Sequence, residues 1–234
     1  MGIGVAPSRT LRPLFKLLGP EFDEFARRGH MLLHVPVRDL LGGFCFDFHW
    51  KGERWLHFFA FPLFVPHDFV NLSWGWRLPT PPYSRSSSPV LVEGEPEQLK
   101  DTVRVLREEG LPLLMPILEL EGFYKFLTDP PRNLFPTSSI RTCEALAYTA
   151  ILLDRFDVAL VHIDDALIHL ADLQSEPGAR ESAGEDERPW IGQIRERVVV
   201  MGELLAEKKI EEAKAQLTAW REASADSLGI RNLL

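Results

Sequence analysis

The stretch from Gly43 to Phe61 constrains this chain more than any other. Phe44, Phe46, Phe48 and Trp50 alternate with Cys45, Asp47 and His49. After Lys51-Gly52-Glu53-Arg54 the pattern resumes, with Trp55, His57, Phe59 and Phe61 alternating with Leu56, Phe58 and Ala60. A period of two puts every second side chain on one face of a strand, and aromatic residues favour the pleated surface of a sheet. A hairpin that pairs Trp50 with Trp55 sets Phe48 opposite His57 and Phe46 opposite Phe59, so the alternating aromatics of both strands share one face. A further strand follows, with Val70, Leu72, Trp74 and Trp76 on one side and Asn71, Ser73, Gly75 and Arg77 on the other. Met31–Val35 reads as a short strand before the hairpin. The expectation is an antiparallel meander of three or four strands, preceded by a helical region over Leu11–Arg27 that Gly19-Pro20 interrupts and Gly29 closes.

The pattern changes near residue 95. Residues 79–89 are rich in proline and serine and read as an exposed loop, with Val90-Leu91-Val92 as one more short strand. From Pro96 onward, apolar residues recur at three and four. Leu99, Val103 and Leu106 form a stripe that predicts a helix ending at Gly110, and Leu113–Leu127 reads as a helix broken by Pro116 and Gly122. Thr137, Ser138 and Ser139 offer N-caps for a helix to about Leu153. Phe156–Leu173 carries Phe156, Ala159, Leu160, Ile163, Ala166, Leu167 and Leu170 on its core stripe. Residues 174–188 are polar, acidic and glycine-containing, the composition of a flexible loop. Pro189 restarts a helix with Ile191, Ile194, Val198, Met201 and Leu205, and a last helix carries Ile210, Ala213, Leu217 and Trp220. The predicted fold class is α+β: an N-terminal helix and aromatic-rich antiparallel meander over residues 1–94, packed with a mainly helical half over 95–234. The apolar sheet face is expected to share one core with those helices.

Charge and cysteine usage narrow the function. Lys plus Arg number 26 against 34 Asp plus Glu, a net charge of −8, which argues against a general nucleic-acid binder. Two cysteines, Cys45 and Cys143, make neither a disulfide framework nor a four-ligand zinc site, and they fit a reducing cytosol. The N-terminal residues lack the apolar core of a signal peptide, and Phe58–Leu72 is broken by Pro62, Pro66, His67, Asp68 and Asn71 before it reaches the length of a membrane span. The expectation is a soluble, cytoplasmic protein without a membrane partner.

The last two helix pairs align with each other at an offset of 54 residues: Ile151 with Leu205, Phe156 with Ile210, Ala159 with Ala213 and Ile163 with Leu217. Asp154-Arg155 and Glu207-Lys208-Lys209 supply tight turns at the same place. Without the acidic loop the offset shortens to about 34–38, near the tetratricopeptide period. With Leu146, Ala147, Phe156, Ala159, Ile163 and Ala166 in place, residues of about 140–225 resemble divergent tetratricopeptide-like repeats. The chain departs from that family at Cys143, where a large aromatic is usual, and at Trp220, where a small alanine is usual. The resemblance implies a protein-interaction surface rather than chemistry. The N-terminal half resembles no family.

Several residue groups are candidate sites. His162, Asp165 and His169, with Asp172 beyond, stack along one helix side at ligand spacing, but that side is also a polar face turned away from the core. Asp47 and His49 share a strand face as a base–orienter pair with Cys45 on the same side, too close in sequence to act without a partner strand. His57 falls on the aromatic face as a core histidine. No phosphate loop, H-E-x-x-H, C-x-x-C or G-x-S-x-G occurs, so no metal, nucleotide or other cofactor is expected. Trp74 and Trp76 on one strand face, and Asp164 and Asp165 among the acidic residues of the late helices, are the candidate partner-binding residues. The leading expectation is a non-catalytic protein-interaction module, and an acidic inhibitor or immunity-like protein that receives a basic partner is its narrower form. The alternative is an enzyme or small-ligand sensor with its site on the sheet.

Overall fold

The alternating aromatics form two of the three inner strands of a five-stranded antiparallel sheet in an α+β fold. The computed structural model describes residues 11–48, 54–70, 74–78, 96–129, 139–175 and 189–234. Strands β1 (Phe25–Arg28), β2 (Met31–His34), β3 (Leu40–Phe48), β4 (Arg54–Pro62) and β5 (Gly75–Arg77) lie side by side in chain order. Met31 pairs with Cys45, Leu32 with Phe44 and Leu33 with Gly43, while His57 pairs with Arg77, Phe58 with Trp76 and Phe59 with Gly75. The predicted hairpin turn, the 79–89 loop and the Val90–Val92 strand lie outside the described residues, as does the acidic loop from residue 176.

The sheet begins earlier than the sequence pattern implies. Leu11–Arg27 is not one helical region but a short helix α1 (Arg12–Phe15), a 3-10 turn (Pro20–Phe22) and strand β1. The helix ends at Phe15, the chain is extended at Gly19, and Pro20 opens the 3-10 turn as its first residue. Gly29, at φ 59°, then opens a two-residue loop between the paired residues Arg28 and Met31. Positive φ at the first loop residue matches the twist of the flanking strands, so the residues before Gly29 pair as a strand instead of coiling.

Among the described side chains, both faces of β3 and β4 are buried. Phe44 and Phe46 are fully enclosed, and Cys45, Leu56, Phe58, Phe59, Ala60 and Phe61 are buried with them. The Phe46 ring meets Phe15 edge-on at 5.9 Å, and Phe44 stacks on Phe25 at 5.8 Å. Such close packing means that a Cβ added at three glycines would meet a neighbour. A Cβ on Gly43 would lie 1.9 Å from the Leu32 carbonyl oxygen, one on Gly42 would meet the Leu118 side chain, and one on Gly110 would lie 2.7 Å from the Phe44 ring.

Gly110 therefore does not end its helix. Helix α2 (Pro96–Val105) runs through a π turn (Leu106–Gly110) into α3 (Leu111–Ile117). Pro112 has no N–H and its ring crowds the carbonyl four residues back, and the wider π turn accommodates it without breaking the rod. This rod falls in the same compact unit as the sheet, together with Ile230–Leu234. The Val37 N–H donates to the Leu233 carbonyl at 2.7 Å, and Arg28 donates to the Asn232 side chain at 2.8 Å. The segment of this unit that holds the rod runs from Val70 to Glu119.

The second unit comprises Pro62–Phe69 and Leu120–Gly229. It contains α4 (Leu120–Thr128), α5 (Ser139–Leu152), α6 (Phe156–Ser175), α7 (Pro189–Ala206) and α8 (Ile210–Ser227). Helices α5 and α6 form one hairpin and α7 and α8 another, with α6 packed on α7. Ala145, Ala147, Ala150, Ala159 and Ala166 are fully buried, and these small side chains let the helix backbones approach. The two hairpin turns match hydrogen bond for hydrogen bond. Asp154 (φ 60°) and Lys208 (φ 58°) are the only non-glycine residues at positive φ among those described. The next N–H, of Arg155 or Lys209, donates at 2.8 Å to the carbonyl of Ala150 or Leu204. Each pair of equivalent positions is separated by the same 54 residues.

The glycine contacts give a graded test. Gly43→Ala presses on backbone, and it is expected to destabilise the chain by about 3 kcal/mol or prevent folding, with Gly110→Ala costing about 1–3 kcal/mol. Gly192→Ala in α7, where nothing lies within 4 Å, is expected to be neutral or to stabilise by up to about 1 kcal/mol. Urea unfolding followed by circular dichroism measures all three.

Candidate partner-binding face

Helix α6 has two apolar sides. Ala159, Ile163, Ala166 and Leu170 point into the helical unit and are buried. On the opposite arc, Val158, Val161 and Ile168 are 38%, 57% and 58% exposed. Asp157, Asp164, Asp165 and Asp172 share that arc and are exposed as well. Helix α7 repeats the composition: Val199 and Val200 are exposed, with Glu196 and Glu203 exposed one turn to either side. An ordinary surface helix keeps its outer face polar. β-Branched residues are also poor helix formers, each costing about half a kcal/mol relative to alanine. Five such residues on outer faces disfavour the free helices twice, through propensity and through hydration.

Of the residues singled out in the sequence, Asp164 and Asp165 lie on this face. Trp74 and Trp76 do not. Both are buried, with Trp74 edge-on to Phe61 at 5.6 Å and Trp76 against Phe58 at 5.5 Å, so their rings belong to the sheet core. They pack there because β4 is covered on both faces. The His162 Nε2 shares a hydrogen bond of 2.9 Å with the Tyr124 hydroxyl of α4, and burial lowers the pKa of His162 against the pull of Asp165. Arg155 reinforces the same junction with a salt bridge to Glu121 at 2.8 Å. Among the described residues, no three His, Cys, Asp or Glu side chains converge to hold a metal ion. Burial, then Asp165, pushes the Cys143 thiol up, away from the thiolate form a nucleophile needs. Cys45 and His57 are buried in the sheet. The Asp47–His49 pair cannot be placed, because His49 lies outside the described residues.

A buried ionic cluster, not singled out in the sequence, joins the two hairpins. Arg197 of α7 donates through Nε–H to Glu144 Oε1 of α5 at 2.7 Å, with the two side chains 13% and 1% exposed. Complete burial pushes the Glu144 carboxyl up, and Arg197 pulls against it. Burial opposes the Arg197 charge, yet Glu144 and Tyr148 together hold its pKa above the ordinary value. Burial, then the Glu144 charge, drives the neighbouring Tyr148 hydroxyl well up. The Arg141 guanidinium lies over the Trp190 ring at 4.9 Å. His67, in the Pro62–Phe69 segment of the same unit, is pushed down to about 4 by burial and then by the charges of Arg141 and Arg197. Glu144 and Arg197 are 53 residues apart, and no local pattern in the sequence announces the pair. The outer side of α6 reads as polar in the sequence analysis; the signal it passes over is Val158, Val161 and Ile168, which recur at helical spacing opposite the core stripe.

No family model matches the chain, and no characterised protein or solved structure is significantly similar to it. Among the described residues, no helix is long and apolar enough to cross a membrane.

Two outcomes follow from the buried cluster. Glu144→Ala strands the Arg197 charge and is expected to cost about 3–5 kcal/mol, whereas the double replacement Glu144→Leu/Arg197→Met recovers most of that loss in chemical denaturation. His67 has its folded pKa below its unfolded one, so its contribution is intact above pH 6.5 and is lost as pH falls toward 4. The loss amounts to about 3 kcal/mol. Unfolding free energies of the native chain and His67→Gln, measured at neutral pH and near pH 4, are expected to show a shallower acid loss in the variant.

Proposed function

We propose that this chain is a non-catalytic protein-interaction module whose docking surface is the outer face of α6, continued by the similar face of α7. The observation that carries the reading is the line of Val158, Val161 and Ile168 exposed on α6. Scattered surface aliphatics need no explanation, but β-branched residues gathered on one helix arc form the kind of patch that partners cover. The two helix hairpins with matching turns support it, since stacked hairpins present rigid, preorganised helix faces. The resemblance to tetratricopeptide-like repeats points the same way.

Photo-crosslinking in the native source tests this reading. A benzophenone amino acid is placed at Val161 or Ile168, and for comparison at Ala215 or Thr218, which are exposed on α8. The expected result is a discrete crosslinked protein from the α6 positions and none from α8. Equal labelling from both helices, or none from either, overturns the proposal.

A further inference from the structure

We infer that the partner received by α6 is a basic amphipathic helix lying along it. This rests on reading α6 as the docking face, and it adds the chemistry and shape of the occupant. Within Phe156–Ser175 there are four aspartates and no lysine or arginine. Asp157 and Asp164 are exposed, and among the described residues no cation pairs with either carboxylate.

Their spacing selects a helix. Asp157 and Asp164 are seven residues apart, and so are Val161 and Ile168, Val158 and Asp165, and Asp165 and Asp172. Seven residues are nearly two helical turns, about 10.5 Å along the axis, so each set forms a line almost parallel to α6. Two lines of carboxylate flank and interrupt a line of aliphatics, the arrangement of a coiled-coil seam with acidic edges. A partner helix running alongside presents leucine-like side chains to Val161 and Ile168, with lysine or arginine at the same repeat reaching Asp157, Asp164 and Asp165. An extended strand, which rises more than twice as far per residue, does not keep that register. The negative charge also makes the encounter fast and salt-dependent.

The test uses the full chain and a synthetic lysine–leucine peptide of about 18 residues with leucines on one helical face, beside a scrambled peptide of equal composition. Fluorescence anisotropy is read at about 0.05 M and 0.5 M NaCl. The amphipathic peptide is expected to bind at least about tenfold more tightly than the scramble, and to weaken at high salt. Asp157→Asn/Asp164→Asn/Asp165→Asn is expected to weaken it about tenfold. Val161→Ser/Ile168→Ser is expected to weaken it by a similar or greater factor. Glu211→Gln/Glu212→Gln, on the exposed start of α8, serves as a control for net charge and is expected to change binding less than about twofold. All these positions are exposed, so circular dichroism of each variant should match the native chain.

Three results overturn the inference: equal binding of scramble and amphipath, equal losses from the α6 and α8 charge variants, or a self-association in sedimentation that Val161→Ser/Ile168→Ser dissolves, which gives the face to a second copy. Photo-crosslinking at Val161 that survives the aspartate substitutions would reject the basic helix while leaving the interaction module standing. Loss of crosslinking from Val161 and Ile168 in the native chain would reject both.

Discussion

Burial of β3 and β4 on both faces is the constraint from which the sheet-containing unit follows. A strand covered on one face tolerates polar side chains on the other, but a strand covered on both faces must place every residue against something. Phe44 and Phe46 fill one side, against Phe15, Phe22 and Phe25. Neighbouring groups then come so close that an added Cβ would meet backbone at position 43, the Phe44 ring at 110 and the Leu118 side chain at 42. The π turn in the α2–α3 rod belongs to the same solution: it lets Gly110 lie on the Phe44 ring while the helix continues past Pro112.

The helical unit depends on a different device. Each hairpin reverses through one residue at positive φ, Asp154 or Lys208, and neither is glycine. Such a conformation costs roughly 1 kcal/mol or more for a non-glycine residue. It is held by the hydrogen bonds that close the turn and, at Asp154, by an ion pair to Lys214. Glu144 and Arg197 then join one hairpin to the other through a buried pair that is weak as a source of stability but intolerant of a missing partner. The result is a set of helices whose orientation is specified from inside, leaving their outer faces free to vary in chemistry. That freedom is what makes the valine–aspartate face of α6 informative: no packing among the described residues of the unit requires it.

How much of this was readable beforehand differs by feature. The inner strands, the helices α5 to α8 and the alignment of the two hairpin turns were visible because period two, period 3.6 and a repeated offset are local properties of the chain. Strand β1 was hidden, since Phe25–Arg28 has no alternation of its own and becomes a strand only because Gly29 turns it against β2. The end assigned to the helix at Gly110 failed for a related reason. Glycine commonly terminates a helix, but it also permits close approach, and only the position of Phe44 tells which role applies. The same holds for Trp74 and Trp76, whose rings look alike as core or as platform until the cover on β4 is known.

The amino-acid sequence by itself determined the α+β composition of the chain, its excess of acid and the placement of Asp164 and Asp165 on an outward helix face, because each depends on residue type and short-range spacing alone. Tertiary structure decided which aromatics were enclosed, which glycines touched a neighbour, and that Glu144 meets Arg197 across 53 residues. It also decided that Val158, Val161 and Ile168 remain in water. Burial is a property of what lies opposite a side chain, and what lies opposite is set by contacts between segments distant in sequence, which no local period encodes.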